Sequence, residues 1–86
     1  MPKLRRLNGQ DVLRVLQSYG FEIVRVRGSH HILRRTVIHA GKEETQTVNV
    51  PVHGSQPLAP GMLKRLYRDL QRYLSEADLH DSFYTD

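Results

Sequence analysis

The apolar period of this chain changes once in its second half, and that change dictates most of what it can fold into. Val48, Val50 and Val52 recur at every second residue with Thr47, Asn49 and Pro51 between them, the pattern of a strand with one buried face. Pro51 cannot donate to a ladder, which puts it at a strand end or on an edge. From Met62 to Leu74 the spacing becomes three and four, so that Leu63, Leu66, Tyr67, Leu70 and Leu74 form one helical stripe. A chain holding both periods so close together is neither all-helical nor all-β.

The first half repeats the mixture in the opposite order. Asn8 is a good N-cap, Asp11 lies in the following turn, and Val12, Leu13, Leu16 and Tyr19 fall at helical spacing before Gly20, a plausible stop. FEIVRV, from Phe21 to Val26, is rich in strand formers, and Gly28 with Ser29 marks a turn before a second strand from His30 to Thr36. The neighbouring apolar pair Ile23 and Val24 breaks the alternation and points to a bulge or to a strand covered on both faces. His39 to Glu43 reads as a second hairpin tip, His53 to Pro60 as a loop, and Ser75 with Glu76 and Asp78 as the start of one more short turn reaching His80. The order helix, three strands, helix with short connections predicts an α+β fold of two layers, a three-stranded antiparallel sheet with two helices on one face.

With 86 residues there is room for one domain, and we expect residues 1–86 to form it, with a core over about 8–74 and an acidic tail over 75–86. A chain this short buries only about 60 to 65% of its unfolded surface, so association with a partner is expected. The absence of Cys excludes a disulfide framework and a thiolate nucleophile and fits a reducing compartment. No apolar run approaches the roughly 20 residues of a membrane span and the first ten residues lack the apolar core of a signal peptide, so a cytoplasmic location is expected.

The charge is unevenly placed. The net charge is +4, yet Glu76, Asp78, Asp81 and Asp86 stand in the last twelve residues, where there is no Lys or Arg. Residues 1–74 therefore hold 13 bases against 5 acids, or +8. A body so basic selects a polyanionic partner, nucleic acid first, with an ordinary solvated surface as the plain alternative.

Four short motifs then occur in sequence: Gly20-Phe21, Gly28-Ser29-His30, Val50-Pro51-Val52-His53, and Pro60-Gly61-Met62-Leu63-Lys64-Arg65-Leu66. Together they resemble the HicA toxin family, from about Asn8 to Leu74. The resemblance implies an α-β-β-β-α fold similar to the double-stranded RNA-binding domain, ribonuclease activity on messenger RNA, and a HicB-like antitoxin as inhibitory partner. It also implies that His30, the histidine of the GSH motif, is catalytic. The second helix departs from the family pattern where Met62 replaces the usual small polar cap.

The residues read alone are compatible with that chemistry. RNA supplies its own nucleophile in the 2′-hydroxyl, so cleavage needs a base, an acid for the leaving oxygen and positive charge on the phosphate, and requires no cofactor or metal. An imidazole titrating near neutrality suits either proton-transfer role. A surface histidine beside a turn is the plain alternative. His31, adjacent on the strand, points to the opposite face. Gly28 and Ser29 set the turn or meet phosphate, and His53 is an accessory candidate for proton transfer or loop ordering. Lys64, Arg68 and Arg72 form a basic stripe at steps of four with Arg65 beside it, while Arg25, Arg27, Arg34 and Arg35 flank the GSH turn. Of these, Arg27, Lys64, Arg65 and Arg68 with Gly28 and Ser29 are the expected RNA contacts. The histidines show no recognisable metal-ligand spacing. Tyr19 and Tyr67 lie on apolar faces, and few aromatics remain for base stacking, so contact through phosphates is expected. Two other functions fit parts of the pattern: an RNA-binding module with the same fold and no chemistry, and a structural subunit, which leaves the basic body unexplained.

Overall fold

The computed structural model describes residues 2–85; Met1 and Asp86, the last of the four tail acids, lie outside the described residues. The elements run β1 (Lys3–Leu4), α1 (Gly9–Ser18), β2 (Glu22–Arg27), β3 (His30–His39), β4 (Lys42–Pro51), α2 (Pro60–Leu70), α3 (Glu76–Phe83) and β5 (Tyr84–Thr85). β2, β3 and β4 form a three-stranded antiparallel sheet in that order, and β1 pairs with β5 in a separate two-stranded ribbon. The architecture is α+β, with the predicted α-β-β-β-α order at its centre.

Helix α1 begins at a capping box. Asn8 Oδ1 accepts from the Asp11 backbone N–H at 2.8 Å, and Asp11 Oδ2 accepts from the Asn8 N–H at 3.0 Å. Its apolar face, Val12, Leu13 and Leu16, is buried. Leu33 of β3 and Val48 and Val50 of β4 meet it from the sheet, joined by Leu63, Leu66, Tyr67 and Leu70 of α2. Thr47 and Asn49 alternate with these valines and are exposed, so one face of the sheet carries the helices and the other is open.

Two boundaries differ from the sequence reading, and one irregularity agrees with it. The β3–β4 hairpin is longer than its apolar alternation, because Ala40 (φ 53) and Gly41 (φ 78) close a tight tip and the ladder continues through polar pairs such as Arg34↔Thr47 and Thr36↔Thr45. The register shifts between Ile23 and Arg25, where a bulge is expected. Helix α2 runs Pro60–Leu70 instead of to Leu74, followed by a turn. Leu74 stays buried nonetheless.

The acidic tail is the largest difference. Ser75 caps a full helix, α3, which turns Leu79 and Phe83 into the core, both completely buried. Phe83 packs edge-on against Tyr67, with ring centroids 5.4 Å apart. Only two apolar positions four apart carried this in the sequence, too few to stand out among the acids. Among the described residues no helix is long and apolar enough to cross a membrane.

Candidate active site

The two-residue turn Gly28-Ser29 joins β2 to β3 with Gly28 at φ 59, a backbone that favours glycine at its first central position. The Ser29 carbonyl accepts from the Val52 N–H at 2.7 Å, which extends the ladder past Pro51 and fixes the start of β3. His30 thus stands as the first residue of the central strand, between Arg27 of β2 and Pro51 of β4. Its side chain is exposed on the open face. His31 is half-buried on the other face, its Nδ1 3.4 Å from the Ser29 carbonyl oxygen.

His30 Nδ1 lies 3.1 Å from Oδ1 of Asn49, a residue that faces Ile32 one step along the β3–β4 ladder. Sequence reading placed Asn49 only on the polar side of a strand. The pairing was implicit in the hairpin tip, since a tight turn at Ala40-Gly41 fixes every later partner.

Beyond the β4 edge, a groove of about 490 Å³ separates the sheet from α2, with His30, Thr47, Asn49 and Pro51 on one wall and Met62, Arg65, Arg68, Asp69 and Arg72 on the other. Three guanidinium groups thus share a cleft with one carboxylate, and Arg68 Nε lies 3.9 Å from Asp69 Oδ1. Among the described residues Arg65 and Arg72 make no salt bridge, which leaves their charge available to a ligand.

Not every expected cation reaches this groove. Lys64 lines a second, more apolar recess of about 550 Å³ with Arg5, Arg6, Leu58 and Leu63. Arg35 serves the fold: its Nε donates to Gln46 Oε1 at 2.6 Å, its two terminal nitrogens donate to the carbonyls of Tyr19 and Tyr73 at 2.8 and 3.1 Å, and it stacks over Phe21 at 4.8 Å. Phe21 is core. His53 is exposed in the loop after β4 and is not part of the groove wall. Arg25 and Arg34 are exposed further along the sheet from His30. Among the described residues no three His, Asp or Glu side chains are grouped as a metal ion would require.

The site and fold define a small α+β domain in which an exposed histidine shares a cleft with unpaired arginines. A family model described as the HicA toxin of bacterial toxin-antitoxin systems matches residues 9–71, nearly three quarters of the chain. The chain belongs to this family, and as a toxin of such a system it has an antitoxin partner. Searches of the curated proteins and of the solved structures each found no match.

Proposed function

We propose that this toxin is a ribonuclease that cleaves messenger RNA without a metal ion, with His30 moving the proton. The observation that carries this reading is the placement of His30, the histidine of the GSH turn, in one cleft with Arg65, Arg68 and Arg72. A phosphodiester held by those guanidinium groups lies within the reach of an exposed imidazole, and positive charge there stabilises the extra negative charge of the transition state. His30 takes the proton of the 2′-hydroxyl, O2′ bonds to phosphorus, and the P–O5′ bond breaks. The 5′-oxygen leaves with a proton returned by the imidazolium or by water, giving a 2′,3′-cyclic phosphate and a 5′-hydroxyl.

Arg27, paired with His30 across the ladder, and the backbone of Gly28 and Ser29 border the same end of the sheet and complete the proposed RNA contacts. Lys64 belongs to the RNA surface only if the strand passes around the N-terminus of α2. The proposed partner is a HicB-like antitoxin covering the basic cleft, which would act in the cytoplasm.

Cleavage of end-labelled single-stranded RNA in excess EDTA, at low and moderate salt, tests this reading. Wild type is expected to cut, and His30→Ala to bind while cutting about 100-fold to 10,000-fold more slowly. If both bind and neither cuts, the chain is a binding module of the double-stranded RNA-binding type.

A further inference from the structure

We infer that Asn49 is the positioning residue of this site: its side-chain carbonyl accepts the Nδ1–H of His30 and thereby leaves Nε2 as the nitrogen that exchanges protons with substrate. The inference rests on the proposed role of His30, but its geometric part stands without it.

Three observations carry it. First, the 3.1 Å separation of His30 Nδ1 and Asn49 Oδ1 is a hydrogen-bonding distance, made diagonally across the open face from adjacent strands in fixed register. Second, Asn49 is exposed and its side chain makes no other hydrogen bond among the described residues, so the core has no claim on it. Third, Asn49 and His30 both line the groove that carries the arginines, so the orientation of the ring matters where the ligand would lie.

The chemistry selects which end of the amide faces the ring. Neutral imidazole has one N–H and one bare nitrogen, and imidazolium has two N–H groups. An acceptor opposite Nδ1 is satisfied in both forms, whereas the NH2 end would face an N–H whenever His30 is charged. With the carbonyl toward Nδ1, the bond persists while Nε2 gains and loses its proton, so the ring need not turn during a cycle. Fixing one nitrogen to define the chemistry of the other is a general use of a histidine partner. An amide does this without the negative charge of a carboxylate, which would favour the charged imidazole. The charged groups facing this end of the site are Arg27 from β2, Arg65, Arg68 and Asp69 from α2, and Arg72 from the turn that follows α2.

The test uses the full chain with Asn49→Ala and Asn49→Asp, checked for folding by their amide spectra. Long-range 1H–15N spectra of His30, recorded with the imidazole neutral, should show Nδ1 protonated in wild type and a shift toward the Nε2–H form in Asn49→Ala. That variant should lose about 10-fold to 100-fold in kcat on single-stranded RNA with KM little changed. Asn49→Asp keeps an acceptor and should recover the wild-type tautomer. An unchanged tautomer and unchanged kcat in Asn49→Ala would overturn the inference. If the tautomer responds as stated but His30→Ala still cuts RNA, the contact is real and the nuclease assignment of His30 is the part that fails.

Discussion

The Tyr67 hydroxyl donates to Oε1 of Glu76 at 2.6 Å, and through that bond α2 holds the first turn of α3. Gln71 donates to the other carboxylate oxygen, also at 2.6 Å. These two donors, Tyr67 before Gln71, hold the Glu76 carboxyl below its usual range. Burial, then the hydrogen bond with Glu76 and its charge, and last the neighbouring Tyr84, push the Tyr67 phenol up to about 12.

The pH dependence follows from those directions. A carboxyl whose folded value lies below its unfolded value of about 4.3 stabilises the fold fully above that value and loses the contribution as pH falls through the folded value. A phenol whose folded value is raised stabilises below its unfolded value of about 10 and loses that contribution as pH rises through about 12. Glu76→Gln should therefore flatten the fall in Tm on acidification below about pH 4.3, and Tyr67→Phe should cost about 1 kcal/mol at neutral pH. Thermal melts by circular dichroism at a series of pH values measure both.

Phe83 and Leu79 make the tail part of the core, so the tail should be needed for folding. Phe83→Ala is expected to cost about 3–5 kcal/mol, a large share of the 5–15 kcal/mol typical of a whole domain. Removal of residues 75–86 should leave a chain without a cooperative transition in urea. A truncated protein with a wild-type transition would show that α3 is dispensable.

The arginines should divide into two groups. Arg35→Met leaves the carbonyls of Tyr19 and Tyr73 without this donor, and should cost about 1–3 kcal/mol while leaving the salt dependence of RNA binding unchanged. Arg65→Gln and Arg72→Gln, exposed at the groove, should change stability by less than about 0.5 kcal/mol and each lower the salt slope of single-strand binding by about 0.7. Fluorescence anisotropy across a salt series, beside urea melts, separates the two groups.

Gly9 offers a test of how the site is braced. A Cβ there would lie 2.5 Å from the Pro51 carbonyl oxygen and 2.8 Å from Val52 Cα, both backbone atoms that cannot rotate away. Gly9→Ala should cost about 1–3 kcal/mol. Because Pro51 pairs with His30, the same change should also slow RNA cleavage, measured on the folded fraction at low temperature.

The parts of this fold visible in the sequence are those in which burial imposes a period: Val48 and Val50 on β4, and Leu63, Leu66, Tyr67 and Leu70 on α2. The GSH turn was visible because glycine marks it. The polar half of the β3–β4 ladder was not, since pairs such as Thr36↔Thr45 bury no apolar side chain. Arg35 counts by sequence among the basic residues flanking the GSH turn because sequence gives charge but not direction, and position 35 falls on the inner face with Leu33. Asn49 gained its meaning only from the partner strand.

The candidate site has two origins. His30 and Asn49 are 19 residues apart on one antiparallel hairpin, so they meet when that hairpin closes, an event of about 1–10 μs for a hairpin alone. The arginines arrive separately, Arg65 and Arg68 on α2 and Arg72 on the turn that follows it, and stay only while that helix remains docked. The proposed proton-handling pair and the proposed substrate grip thus stand on separate elements of the fold. Because Leu63, Leu66, Tyr67 and Leu70 hold α2 in the same core as Leu33 and Val50, the two halves of the proposed site are complete together only in the folded domain.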